Sequence, residues 1–329
     1  MQQSKKINSI RYLEWLIKII IASATIWFIY KRIFKKGSID DLFASYKILF
    51  NDASSLLLII IILVLMFLNW SLEAWKWKLM ISKIEGVGFF RSLEAVFSGL
   101  TVSFFTPNRT GEFAGRIFHL QKADRIKAAI ITIIENNSQL IITIVTGSIA
   151  LIFYLFGYVE MNTYSFTACT VFSLTIGGTV VFLFLNISLL ETFFDRFRLL
   201  KKFHPYIEIF SFYSRKDLVR VLMISFLRFF VFTIQFYLLL KLFGAPLPYL
   251  PALMMITMIF YVMTLVPTFF ITELAVRGSI AITFLSSLTT NEPAIINSTV
   301  SLWLINIALP ALIGSVFVFS FRLRKIKSA

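Results

Sequence analysis

The sequence predicts an all-α polytopic membrane protein, and three observations carry that prediction. The 329-residue chain is 58% hydrophobic and holds 37 phenylalanines, too apolar for an ordinary soluble domain. Long apolar runs recur along it, several with the ~20 residues needed to cross ~30 Å of hydrocarbon. Basic residues gather at alternate ends of those runs, the pattern that marks the cytoplasmic side. We therefore expect one membrane domain over 1–329 with about six to eight transmembrane helices and no soluble catalytic module.

The first apolar run, over 12–30, follows Lys5, Lys6 and Arg11 and ends at Trp27, Phe28, Tyr30, Lys31 and Arg32. With no small-residue cleavage site after it, it reads as a retained span, and Lys18 can snorkel to the interface. Residues 31–54 mix Lys31, Arg32, Lys35, Lys36 and Lys47 with apolar Phe34, Ile39, Leu42 and Phe43, as in a short interfacial helix. A second span over 55–81 closes on Glu73-Ala74-Trp75-Lys76-Trp77-Lys78, a Trp/Lys cluster of the kind found at membrane surfaces. Residues 92–119 are moderately apolar but broken near Pro107–Gly111, so neither half can cross the bilayer. The third span, 127–156, contains Glu135-Asn136-Asn137-Ser138-Gln139. Five consecutive polar residues on a helix cannot all face lipid, so part of this helix must line a protein interior.

A fourth span covers 164–188, and 191–216 then mixes Arg196, Arg198, Lys201 and Lys202 with Phe193, Phe194, Phe197 and Phe203. That composition suits an amphipathic segment on the cytoplasmic leaflet. The fifth span, 218–243, carries Arg228 and Gln235 seven residues apart, on similar faces. Residues 252–288 are apolar but interrupted at Pro267, Glu273 and Arg277, forming a second re-entrant hairpin or two paired spans. The last span, 295–320, runs into Arg322, Arg324, Lys325 and Lys327.

The basic segments place both termini, 76–91, 122–127 and 191–216 in the cytoplasm, and the loops near 160, 247 and 290 outside. Residues 31–54 break this rule with five basic residues in an outer loop. The map implies a multi-pass protein of the plasma (inner) membrane. A formal charge of +15 then reads as topology and attraction to anionic lipid, not nucleic-acid binding. One cysteine excludes an internal disulfide, and two histidines without cysteine partners argue against zinc. No metal or other cofactor is expected, and no nucleophile or acid–base pair suggests an enzyme.

The two broken segments share a pattern. Pro107-x4-Glu112-x3-Arg116 and Pro267-x5-Glu273-x3-Arg277 each set a glutamate and an arginine four residues apart, on one helix face. On the topology above they enter from opposite sides, which gives two oppositely oriented re-entrant hairpins and an inverted repeat. Broken helices at corresponding positions of inverted halves point to a transporter's binding site. Pro107, Gly111 and Pro267 would shape the hairpins. Arg109 and Arg116 offer planar donor forks to a phosphate. Glu112 and Glu135 would neutralise them when empty or meet a cationic group, and Arg228, Glu273 and Arg277 would act likewise from the other side.

These residues carry a resemblance. Trp75-Lys76-Trp77-Lys78, Ser92 to Gly99, Thr106-Pro107-Asn108-Arg109-Thr110-Gly111-Glu112 and the later Glu135 resemble the transmembrane region of lysylphosphatidylglycerol synthases and their stand-alone flippase-like relatives. Pro267 to Arg277 looks like that family's second hairpin, and the likeness extends over roughly 55–320. Two departures stand out: the glycine-rich pattern usual after the second proline is absent, and Asn136 stands where an arginine is common. The sequence contains no aminoacyl-transfer domain, so the resemblance implies translocation of a phospholipid or lipid-linked headgroup and not synthesis. The expected partners are membrane phospholipid, anionic lipid foremost, and either a second copy of the chain or a separate lipid-modifying enzyme. The competing readings are an ion- or proton-coupled small-solute transporter and, behind it, a membrane-embedded lipid-modifying enzyme.

Overall fold

Every regular element among the described residues is helical. The computed structural model describes residues 52–103, 106, 111–189, 206, 208–266 and 270–327. The expected span over 12–30, nearly all of 31–54 and most of 191–216 lie outside them, as do Pro107, Arg109 and Pro267.

The helices are α1 (Ala53–Ile81), α2 (Phe89–Ser103), α3 (Gly111–Ile117), α4 (Arg125–Tyr158) and α5 (Thr163–Leu185). After a 3₁₀ turn at Glu208–Phe212 come α6 (Arg215–Leu242), α7 (Tyr249–Leu265), α8 (Phe270–Leu285) and α9 (Glu292–Trp303). A π-turn, Leu304–Ala308, joins α9 to α10 (Leu309–Lys327). Polar residues at the helix starts set the boundaries: Asp52, Asp124 and Asn162 each accept backbone N–H bonds from the first turn that follows. Ser214 and Asp217 form a reciprocal capping box at the head of α6.

Helices α1, α4, α5 and α6 and the combined run Glu292–Val318 are long and apolar enough to cross a membrane. The protein is therefore a multi-pass membrane protein, with α2/α3 and α7/α8 as the shorter pairs between the long helices. At 7 residues, α3 rises only ~10 Å, whereas α7 and α8, with 17 and 16 residues, rise ~24–26 Å each.

Two large apolar cores divide the described bundle, with a small third cluster of Leu72, Ile224 and Val231 beside them. One joins Trp70, Trp77 and Met80 of α1 to Val96 and Leu100 of α2, Ile131 of α4 and Leu218 of α6. The other gathers Phe236, Leu239 and Leu240 of α6, Met255 and Ile259 of α7, and Ala281 and Leu285 of α8. Helix α6 runs through both, and α1 packs along it.

Small residues let the first hairpin close. A Cβ on Gly115 would stand 2.5 Å from the Gly99 Cα and 2.6 Å from the Ser98 carbonyl, so α3 lies directly on the α2 backbone. Gly111 fits under Thr106: its N–H donates to the Thr106 hydroxyl at 2.6 Å, and a Cβ there would meet that oxygen at 2.7 Å. The π-turn also has a local cause. Pro310 has no N–H and its ring crowds the carbonyl four residues back, that of Asn306. Widening the helix there, with Leu309 donating to the Leu304 carbonyl, relieves that clash and turns Asn306 into the core.

A buried charge cluster and an adjoining cavity

Helical period sorts the end of α1 into two faces. Glu73, Lys76 and Trp77 fall with Asn69, Trp70 and Met80 on the inner face and are buried, whereas Trp75 points outward. By sequence alone, Glu73–Lys78 reads as one group at the membrane surface. Only the outer face fits that description, because the 3.6-residue repeat carries Glu73 and Lys76 inside.

There they meet Arg116, brought in by α3, and Glu135, from the polar run of α4. The Arg116 guanidinium is fully buried and donates to Glu135 at 2.8 Å, to Glu73 at 2.7 Å and to Glu112 one turn before it. Lys76 Nζ lies 3.0 Å from Glu73 and 2.9 Å from Glu135. Arg228 of α6 reaches Glu73 at 3.0 Å. Three carboxylates thus face three cations, so the cluster is balanced when all six are ionised. Such balance is what makes a charged group tolerable at this depth.

Beyond Arg228 opens a cavity of about 640 Å³, within the size range of small-molecule sites. Its polar wall holds Asn69, Gln139, Arg228, Glu273, Arg277 and Asn306, and its apolar wall holds Phe229, Phe232, Phe260, Met263, Leu265 and Ile307. Arg228 lies over the Trp70 ring, 5.4 Å from its centroid, and makes a long 3.4 Å bond to Gln139. Its Nε has no hydrogen-bond partner among the described residues. On the far side, Arg277 donates to Glu273 at 2.7 Å, one helical turn apart. Asn306 donates to Gln235 at 2.7 Å and accepts from Asn69 at 3.3 Å. Gln235 in turn donates to the Ile62 carbonyl at 2.9 Å. This amide chain ties α1, α6 and the π-turn together behind the cavity.

The candidate residues from the sequence therefore divide. Arg228, Glu273 and Arg277 share the cavity, while Glu112, Arg116 and Glu135 lie in the buried cluster behind it. Both glutamate–arginine pairs of the repeated pattern form ion pairs within their own helices. Glu73 links the two sets, because it pairs with both Arg116 and Arg228. Arg109 lies outside the described residues. Sequence reasoning missed Glu73, Lys76, Asn69 and Asn306 as interior polar groups. Glu73 and Lys76 three residues apart in an apolar helix, and Asn306 four residues before Pro310, were the available signals.

A second carboxylate fixes the exit from the first hairpin. Glu85 accepts the backbone N–H groups of Gln121, Lys122 and Ala123 at 2.8–3.0 Å and lies 3.8 Å from Arg91. Arg91 also donates to the His119 carbonyl. Burial pushes the Glu85 carboxyl up, but those three donors and Arg91 outweigh it and hold it below its ordinary 4.5. Its folded value is depressed, so its stabilising contribution is full above pH 4.5 and fades as pH falls through the folded value. The stability gap between wild type and Glu85→Gln, measured by thermal unfolding in detergent, should be constant around neutrality and shrink below that pH.

A family model described as the lysylphosphatidylglycerol synthase TM region matches residues 15–269. The match takes in α1 to α7, the buried cluster and Arg228, and it stops short of Glu273 and Arg277. The resemblance in the motifs extends to about 320, beyond the matched residues, so the second pair rests on its own geometry. No curated protein matches the chain. The chain belongs to the lysylphosphatidylglycerol synthase transmembrane-region family, as a multi-pass membrane protein related to lipid handling.

Proposed function

We propose that the protein moves a phospholipid or lipid-linked headgroup between the leaflets of the plasma membrane, and that it does so without covalent chemistry. A headgroup cannot cross hydrocarbon unaided, so a translocator must offer polar groups at depth while the acyl tails stay in lipid. The observation that carries this reading is the position of Arg228. It lines the cavity with Glu273 and Arg277 and is also paired to Glu73 of the buried cluster. Two guanidinium groups facing one cavity suit a phosphate, for which arginine supplies a planar donor fork. The facing apolar wall, rich in phenylalanine, suits the glycerol and upper chains. Arg116, enclosed by three carboxylates, holds the first hairpin in place and leaves headgroup contact to Arg228 and Arg277.

The test is reconstitution. Vesicles containing the purified protein and fluorescent phosphatidylglycerol should show lipid exchange between leaflets, read as the fraction reachable by a membrane-impermeant quencher. Arg277→Gln removes a charge from the cavity wall and should slow exchange by about tenfold, the worth of one hydrogen bond to a charged group. Wild-type vesicles that move no lipid would overturn the proposal. Uptake of a small solute that needs a pH gradient, with no lipid movement, would establish the ion-coupled transporter instead.

A further inference from the structure

A second polar recess lies where α1 ends and α6 begins, the end that the charge pattern assigns to the cytoplasm. It measures about 320 Å³ and is lined by Trp75, Lys78, Leu79, Ser82, Lys83, Asp217 and Arg220. The two helix ends are fastened beside it: Tyr213 donates to the Met80 carbonyl at 2.8 Å, and Lys83 pairs with Asp217 at 3.0 Å. Asp217 is further occupied by the Ser214 cap. That leaves three cations against one committed carboxylate, and neither Lys78 nor Arg220 has an ion-pair partner among the described residues.

We infer that this recess binds the phosphate of an anionic phospholipid, at a site separate from the transport cavity. Trp75 supports a lipid over a soluble anion. It is 56% exposed in the last turns of a membrane-crossing helix, where an indole lies at headgroup level. Beside it Lys78 and Arg220 can close on a phosphate from two helices, and Lys83 adds charge from the loop. The separation from the cavity follows from helical rise. Lys78 is eight residues beyond Trp70 and Arg220 eight before Arg228, which sets the recess roughly 12 Å outward along both helices. The two sites share no lining residue. The recess therefore holds a lipid at the bilayer surface, and its occupant cross-links α1 to α6 at the point where the buried cluster needs them fixed.

The experiment uses the full chain in neutral detergent. Phosphatidylglycerol should raise the thermal midpoint, whereas phosphatidylcholine and millimolar inorganic phosphate should not. Lys78→Gln combined with Arg220→Gln should weaken that dependence by about thirtyfold in lipid concentration, given the worth of basic residues near an anionic lipid surface. Native mass spectrometry should show one fewer retained phosphatidylglycerol on the double variant. Because Arg228 lies in the other site, adding Arg228→Gln should leave the loss caused by Lys78→Gln and Arg220→Gln as large as it is in the wild-type background. A double variant that responds like wild type overturns the assignment, as does an equal response to inorganic phosphate. Should the double variant fold poorly, Lys78→Gln alone must still shift the lipid dependence severalfold.

Discussion

Arg116→Met should lower the stability of the protein by about 3–5 kcal/mol, the range for removing one partner from a buried ion pair. The residue is fully buried and its guanidinium serves Glu73, Glu112 and Glu135 at once. Without it, three carboxylates face only Lys76 and Arg228, and Glu112 loses the one ion pair it makes among the described residues. The variant should lose on the order of 5–10 °C in thermal midpoint in detergent. Combining it with Glu135→Gln removes one of the stranded charges. The double variant should therefore be more stable than the sum of the two single changes implies, and the double-mutant cycle measures that coupling. If Arg116 were instead a headgroup ligand, Arg116→Met would keep its midpoint and lose only transport. Gly115 bears on the same point from the backbone, because α3 can present Arg116 to the cluster only while it rests directly on Gly99.

How far the sequence reveals this arrangement depends on the kind of order concerned. Length and apolarity alone mark α1, α4, α5, α6 and the Glu292–Val318 run, since any helix in hydrocarbon must satisfy its backbone internally and span ~30 Å. The doubled glutamate–arginine spacing is equally legible, because an i, i+4 relation survives in any helix. What sequence cannot supply is the partner across helices. Arg116 meets Glu73 and Glu135 over separations of 43 and 19 residues, and nothing local distinguishes those contacts from a surface charge. Glu73 and Lys76 show the difficulty plainly. Beside two tryptophans they resemble a membrane-surface cluster, and only helical phase separates them from Trp75 and Lys78. Asn306 was hidden for another reason: its inward turn depends on a π-turn that relieves Pro310, a backbone effect that apolar periodicity does not register.

Arg228→Gln should destabilise the fold less than Arg116→Met does and reduce lipid translocation by about a hundredfold. The two halves of that expectation come from its two sets of neighbours. Toward the cluster, three carboxylates then face only Lys76 and Arg116, but Glu73 keeps both of those partners and Arg228 is partly exposed where Arg116 is fully buried, so the thermal midpoint should fall by less than in Arg116→Met. Toward the cavity, the loss is larger. Arg228 lines the cavity and supplies a charge over Trp70. An amide in its place makes neutral hydrogen bonds, about half as strong, and cannot offset a phosphate's charge. At low dielectric the deficit is about 2–3 kcal/mol in the intermediate where the headgroup is deepest, which converts to the hundredfold slowing. Arg228→Lys separates charge from geometry. A lysine restores the charge as a point source without the planar fork, so translocation should recover in part. The vesicle assay for lipid exchange reads both variants directly. A wild-type rate in Arg228→Gln would remove Arg228 from the headgroup's path and leave Arg277 and Glu273 as the polar wall that the lipid meets.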